Sequence, residues 1–270
     1  LLECLNRWRE ELEVLAPIDP KRGGMRGNFM YWVRVITAHH MLGEHDQELN
    51  AARMGREQYP DEPRFPRHET RALAALGRVD DARRLLTEVE GLIPSTSIRE
   101  GQELRAQGHI EAAQGIFSQA VEWLRALPLE EAREQQNRYR LANALYHAEE
   151  WSEALEVAEE LVAEFPRGGE YVGLQYLGLL GVTVAELGDR VRALQISEQI
   201  GTIEWNWTMD KPAEWRARIA AVLGDHAEAV RLIEEGFRQS SMNSYQFHWY
   251  REFEPLRDYP PFQELIRPKG

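Results

Sequence analysis

The sequence predicts an all-α fold in which helical hairpins stack side by side as a solenoid, and two regularities carry this prediction. Pro60, Pro94 and Pro128 follow one another at intervals of 34 residues, and each is placed to end an amphipathic helix. A glycine that ends one helix is also followed repeatedly by alanine five positions later. A fixed period of this length is typical of helical repeat proteins.

Composition and charge narrow the classes of function. The chain has 270 residues, of which 43% are hydrophobic and 29% charged, as in ordinary globular proteins. Its formal charge of −13 argues against nucleic acid as a partner, because phosphate binding requires a basic surface. Cys4 is the only cysteine, which excludes an intramolecular disulfide and a cysteine-based metal site. The longest apolar run, residues 171–187, is shorter than the roughly 20 residues of a membrane span, so we expect no membrane insertion.

The first segment, residues 1–27, is predicted to be a helix followed by a linker. Leu2, Leu5, Trp8 and Leu12 recur at helical spacing and define one apolar face. The chain starts without an initiator methionine and with a helix already under way. We therefore expect this helix to be the end of a preceding repeat in a longer protein.

Residues 28–238 are predicted to contain about six helical hairpins. The first helix of each hairpin ends at a residue that can adopt positive φ, usually glycine, and a small residue follows where the two backbones approach closely. The turn residues and the alanines five positions later are Gly77 with Ala82, Gly108 with Ala113, Glu149 with Ala154, Gly188 with Ala193, and Gly224 with Ala229. The first hairpin departs from this pattern, because Glu48 stands five residues after Gly43.

The last segment, residues 239–270, is predicted to cap the final hairpin, which would otherwise expose its apolar face to water. The apolar side chains available for this are Tyr245, Phe247, Trp249, Phe253, Leu256, Phe262 and Leu265. Pro260 and Pro261 fit the start of a last short helix.

The combination of these offsets resembles the tetratricopeptide repeat (TPR) family over about residues 28–238. The run Phe253–Gln263 also resembles the end of TPR arms in bacterial multidomain sensors, where the arm follows a Ser/Thr kinase or a winged-helix transcription-activator domain. The resemblance implies a right-handed superhelical TPR-like solenoid that acts as a sensory or scaffolding arm, and it carries no catalytic residue. It leaves the compartment open between the cytoplasm and the extracytoplasmic arm of a membrane sensor.

In TPR proteins the ligand lies against the first helices of the repeats, on the concave side, and the resemblance places eight candidate ligand-binding residues there. They are Arg67, Arg71, Gln102, Arg105, Tyr139, Asn143, Tyr146 and His147. Arg67 and Arg71 are four residues apart and share a helix face, so together with Arg105 they are suited to clamp an acidic peptide segment. Arg64 belongs to the same hairpin, but Pro66 predicts that it precedes the helix.

These residues also have structural interpretations, which the sequence leaves open. The arginines can instead pair with the protein's own acidic residues, since 45 acidic residues face 32 basic ones. Tyr139 and Tyr146 can instead pack between neighbouring repeats. Trp205 and Trp207 likewise either fill the seam between the fifth and sixth hairpins or form an exposed binding anchor.

His39, His40 and His45 suggest a metal site that their spacing does not favour. Adjacent residues point about 100° apart on a helix, and the turn at Gly43 separates His45 from the other two. No cysteine or nearby carboxylate completes the set, so we expect no metal ion. No nucleophile with a base, phosphate-binding loop or dinucleotide fingerprint is recognisable either, so we expect neither a cofactor nor enzymatic activity.

Two functions follow as hypotheses. The first is a non-enzymatic module that binds a protein or peptide segment, with acidic segments favoured by the arginine clamp, as the sensory or scaffolding arm of a larger bacterial signalling or regulatory protein. The alternative is a solenoid that spaces other domains or self-associates into a homo-oligomer through residues 1–15.

Overall fold

The computed structural model describes residues 6–22, 27–88, 98–164, 171–203, 211–239 and 247–269. Within these ranges all regular secondary structure is helical and no strand occurs, which confirms the all-α class. None of the described helices combines the length and apolar character needed to cross a bilayer. Several residues of the sequence-based predictions lie outside the described residues: residues 1–5, Pro94, Trp205, Trp207 and Tyr245.

The described helices pack in consecutive pairs, as the hairpin pattern predicts. A short helix, α1 (Trp8–Leu15), comes first and packs against the first pair. The first three pairs are α2 (Met30–Met41) with α3 (His45–Gln58), α4 (Arg64–Ala75) with α5 (Val79–Glu88), and α6 (Ile98–Ala106) with α7 (Ile110–Arg125). The single-turn helix α8 (Leu129–Ala132) follows them. The remaining pairs are α9 (Gln135–His147) with α10 (Trp151–Glu164), α11 (Tyr171–Glu186) with α12 (Arg190–Gly201), and α13 (Lys211–Val222) with α14 (His226–Gln239). A 3₁₀ helix (Arg251–Leu256) and α15 (Pro260–Ile266) complete the described chain.

The turns inside the pairs have the backbone conformation that their residues predict. The turn glycines have φ values between 72° and 85°, in the left-handed region that glycine adopts without steric cost: Gly43, Gly77, Gly108, Gly188 and Gly224. Glu149 adopts φ 65° in the turn between α9 and α10, as expected for a residue that replaces the glycine. The same local conformation therefore reverses the chain in each pair.

The small-residue positions are buried where the paired helices approach. The alanines five residues after each turn are fully buried, as predicted: Ala82, Ala113, Ala154, Ala193 and Ala229. Glu48 occupies the equivalent position of the first pair and is also 0% exposed. A carboxylate therefore lies where the other pairs have a methyl group, and it requires polar partners inside the protein.

The first helices of neighbouring pairs form a row. α4 contacts both α2 and α6, and α11 contacts both α9 and α13. The close approach of α11 and α13 depends on Gly178, which lies against Trp215. Within the pair α6 and α7, Gly101 lies against Phe117 in the same way. The ligand contacts predicted from the sequence lie on the helices of this row.

The C-terminal segment, residues 247–269, covers the last pair. Phe253 and Phe262 are buried in one apolar cluster with Ala217 of α13 and Ile233 of α14. This contact removes apolar side chains of the last pair from water.

The C-terminal segment also reaches much farther along the row than a cap requires. Arg257 Nη1 donates to the carbonyl oxygen of Ala106, at the end of α6, at 3.3 Å. Lys269 donates its backbone N–H to the carbonyl oxygen of Asn6 at 2.7 Å, and Asn6 Nδ2 donates to the Arg267 carbonyl at 2.9 Å. The described C-terminus is therefore hydrogen-bonded to Asn6, two residues before α1, a contact that the cap prediction did not include.

Candidate functional site

Two arginines of the predicted clamp are held by the protein's own carboxylates. Arg71 is 1% exposed, and its Nε donates to Glu48 Oε1 at 2.6 Å. Arg105 donates from Nε and Nη2 to the two carboxylate oxygens of Glu254 at 2.9 and 3.3 Å, and from Nη1 to Glu149 at 3.0 Å. The expectation that Arg71 and Arg105 face a ligand is corrected, because Arg71 is buried and all three nitrogens of Arg105 already donate to carboxylates of the chain.

Tyr146 and His147 are buried beneath the C-terminal segment. The guanidinium carbon of Arg251 lies 5.2 Å from the centre of the Tyr146 ring, and its Nη1 donates to the carbonyl oxygens of Tyr146 and His147 at 3.4 and 3.5 Å. Gln102 Nε2 donates to His147 Nε2 at 2.6 Å, and burial lowers the pKa of His147 to about 3, so the ring is neutral. The expectation that Tyr146 and His147 contact an external ligand is corrected, because the chain's own Arg251 covers them.

Gln102, Tyr139 and Asn143 come together at a cavity of about 200 Å³. Tyr250 of the C-terminal segment and Arg218 of α13 line its other side. The volume admits a few water molecules or one small side chain. Three of the predicted residues are thus neighbours, at a cavity that the C-terminal segment borders.

Arg67, the remaining predicted arginine, lines a larger cavity of about 350 Å³ between α1, α2, α4 and α6. Four arginines from three helices line this arginine cavity: Arg34, Arg64, Arg67 and Arg99. Arg64 is the first residue of α4, which corrects the expectation that it precedes the helix. Pro66 is tolerated in the first turn, because its missing N–H would have no partner there.

Sequence reasoning identified Arg64 and Arg67 but missed Arg34 and Arg99. The ligand positions taken from TPR proteins skip these two residues, and their shared cavity appears only when three helices pack together. For Arg99, the sequence offered one signal: arginine recurs in the first turn of α4, as Arg64, and in the first turn of α6, as Arg99.

The arginines of this cavity pair with carboxylates but are only partly covered. Arg34 Nη1 donates to Glu11 Oε1 at 2.8 Å, and Arg67 Nε lies 2.9 Å from an oxygen of Glu100. The side chains of Arg34 and Arg64 are about half exposed. The cavity thus presents guanidinium groups to solvent beside carboxylates that lie deeper in the protein.

Burial of the carboxylates increases the positive character of the arginine cavity. It raises the pKa of Glu100 to about 7, against the opposing effect of Arg67. Burial also raises the pKa of Glu11 and of Glu103, which line the cavity. Glu100 is consequently about half protonated at neutral pH, and the charge of Arg67 is less than fully compensated.

A second cluster of side chains lies at the turn between α2 and α3. His40 Nδ1 and His45 Nδ1 lie 3.0 and 2.9 Å from the same carboxylate oxygen, Glu48 Oε2. His39 contacts Glu44 instead, at 2.8 Å. The expectation that the turn isolates His45 and that no carboxylate is near is wrong, because the positive-φ turn folds His45 back toward the end of α2. The signal in the sequence was Glu48, in a position that the other hairpins give to alanine.

Comparisons with known proteins add no assignment to these two sites. No protein-family model matches the sequence, and no curated protein matches it.

Proposed function

We propose that this chain is a non-enzymatic module that binds an acidic protein or peptide segment, with the arginine cavity as its recognition surface. In this proposal the helix pairs form a right-handed superhelical TPR-like solenoid, and the module is the sensory or scaffolding arm of a larger bacterial signalling or regulatory protein. The observation that carries the proposal is the convergence of four arginines from three helices on one cavity.

The guanidinium groups supply the chemistry for recognising carboxylates. A guanidinium has five N–H donors in a planar fork that matches the two oxygens of a carboxylate. Arg34 uses one nitrogen for Glu11, and Nε of Arg67 lies 2.9 Å from an oxygen of Glu100. The terminal nitrogens of Arg67 therefore offer N–H groups to an acidic side chain that enters the cavity.

The size and charge of the cavity favour one or two acidic side chains of a longer segment. A volume of about 350 Å³ is at the lower end of the range for ligand pockets. Because the whole chain carries a formal charge of −13, attraction for an anion is confined to the cavity and falls off within about a Debye length. Long-range steering is thus absent, and affinity depends on contacts inside the cavity.

The proposal is tested with a fluorescein-labelled hexaglutamate peptide titrated with the full chain, followed by fluorescence anisotropy at low ionic strength. We expect saturable binding of hexaglutamate and none of a hexaglutamine peptide. Arg67→Gln should weaken binding of hexaglutamate about tenfold or more, because a hydrogen bond to a charged group contributes roughly 1.5–3 kcal/mol.

Arg125→Gln is the matched control, because it removes the same charge from α7, where Arg125 pairs with Glu150. It should leave the affinity within about twofold of the original, as expected for an exposed ion pair that does not line the cavity. Equal loss of affinity in Arg67→Gln and Arg125→Gln, or equal binding of the two peptides, would overturn the proposal.

The alternative is that the chain spaces other domains or self-associates, for which the sequence suggests residues 1–15 as the interface. Apolar side chains of α12 favour self-association, since Val191 is 69% and Leu194 45% exposed on one side of this helix. Sedimentation velocity over a wide range of protein concentration distinguishes the two functions. A sedimentation coefficient that increases with protein concentration would support the alternative if Val191→Glu abolishes the increase. A monomer at every concentration would exclude self-association.

A further inference from the structure

The turn between α2 and α3 assembles two imidazoles and one carboxylate into a set that resembles a metal-binding site. We propose that His40, His45 and Glu48 bind a divalent transition-metal ion, with zinc as the ion that this set fits best. None of the three lines the arginine cavity, so this inference does not depend on the proposed function.

The three ligand atoms have nearly the separation that a tetrahedral ion requires. His40 Nδ1 and His45 Nδ1 lie 3.0 and 2.9 Å from Glu48 Oε2, and all candidate ligand atoms are within 4.8 Å of one another. Zinc bonds of about 2.0–2.1 Å place tetrahedral ligand atoms about 3.4 Å apart. Small side-chain rotations would therefore admit the ion, with the fourth position left for water on the side of His45, whose side chain is 24% exposed.

Both imidazoles are able to present a lone pair to the ion. Each Nδ1–H donates to the Glu48 carboxylate, and in the neutral ring the proton can reside on Nε2 instead.

Arg71 orients the carboxylate and also limits the affinity. Its Nε donates to Oε1 of Glu48 at 2.6 Å, while the other oxygen, Oε2, is the one that both histidines contact. Donors outside the ligand set commonly fix metal-binding carboxylates in this way. The positive charge of Arg71, so close to the carboxylate, opposes the ion. We therefore expect micromolar affinity, weaker than that of structural zinc sites.

The position of Glu48 supports a ligand role over simple packing. The equivalent residues of the other pairs are alanines such as Ala82 and Ala113, so a methyl group suffices for the contact between the helices. A fully buried carboxylate costs free energy of desolvation that alanine avoids. Two histidines converge on the same carboxylate oxygen, which brings three potential metal-ligand atoms close together.

The experiment is isothermal titration calorimetry of zinc chloride into the full chain, after chelator treatment and dialysis, in phosphate-free buffer near neutral pH. We expect about one zinc ion per chain. His45→Gln should lower the affinity at least tenfold, because it removes one of three protein ligands. His45 is partly exposed, so this variant should fold, which its far-ultraviolet circular dichroism verifies.

His39→Gln is the matched control, because His39 also contacts a carboxylate, on Glu44, but without a second histidine. It should leave zinc affinity within about twofold of the original. Cobalt(II) provides a spectroscopic readout, since an intense visible d–d band indicates tetrahedral coordination and should be lost in His45→Gln only. Absence of binding heat, unchanged affinity in His45→Gln, or equal losses in His39→Gln and His45→Gln would overturn the proposal.

Discussion

Gly178→Ala tests the close packing between first helices most directly. A Cβ atom at this position on α11 would lie 2.5 Å from Cε2 and Cγ of Trp215, and closer still to Cδ2. These atoms belong to the fused rings, so no flexible chain end can move away. Trp215 is only 6% exposed, and the guanidinium carbon of Arg218 lies 3.8 Å from the centre of its ring. The indole is therefore enclosed, and the methyl group requires α11 and α13 to separate.

The expected cost follows from two opposing contributions. Overpacking of a buried site typically costs about 1–3 kcal/mol, and contacts this short place Gly178→Ala at the upper end. Replacing glycine in a helix interior gains about 1 kcal/mol from helix propensity. We therefore expect a net loss of about 2 kcal/mol in the free energy of unfolding. Gly115→Ala on α7 is the matched control, because its Cβ would meet no atom within 4 Å, and it should gain about 1 kcal/mol.

The assay is urea denaturation of both variants and the original chain, followed by far-ultraviolet circular dichroism. The midpoint should fall for Gly178→Ala and rise for Gly115→Ala, with similar slopes for all three proteins. A Gly178→Ala midpoint equal to or above the original would refute the packing argument. Destabilisation of the same size in both variants would show that the effect is not local to Trp215.

Two predictions concern stability against pH. Burial alone would raise the pKa of Glu252, but the buried Arg218, 2.7 Å away, holds it at about 2, below its ordinary value of 4.5. The ion pair thus stabilises the fold above pH 4.5 and is lost as pH falls toward 2. Glu252→Gln should lower the free energy of unfolding at neutral pH by about 3 kcal/mol. It should also reduce the fall of the melting temperature as the pH is lowered from 4.5 toward 2, and an unchanged fall would contradict this. Burial raises the pKa of Glu100 from 4.5 to about 7, so its protonated form favours the folded state and stability declines as pH rises between these values. Glu100→Gln should reduce that decline and add on the order of 2 kcal/mol at pH 8, and thermal denaturation at pH 5 and pH 8 measures both effects.

The helix pairs were predictable because their determinants are local. Gly188 reverses the chain through its own backbone conformation, and Ala193 is buried five residues later in the same pair. Glu149 follows the same rule although its side chain is not favourable for positive φ, which shows that the position in the repeat decides the conformation. Signals that lie within one repeat can be read without knowledge of the others.

The candidate sites were only partly predictable, because they depend on contacts between distant residues. Arg105 meets Glu254 across 149 positions of sequence, so its partner cannot be inferred from the repeat pattern. Arg67 and Arg99 line one cavity only because α4 and α6 pack side by side. Glu48 is intermediate, since it was visible as an exception to the alanine rule although its meaning required three-dimensional proximity to the histidines.

Residue type and spacing along this chain were enough to specify an all-helical protein built from consecutive pairs, since turn conformation, small contact positions and apolar periodicity act over a few residues. Which polar side chains remain open to a ligand was decided by folding in three dimensions. The C-terminal segment pairs Arg105 and covers Tyr146, while Arg67 stays beside an open cavity. The physical reason is that ion pairs and burial depend on which distant groups the packed chain brings within a few ångströms, and no local pattern records that distance.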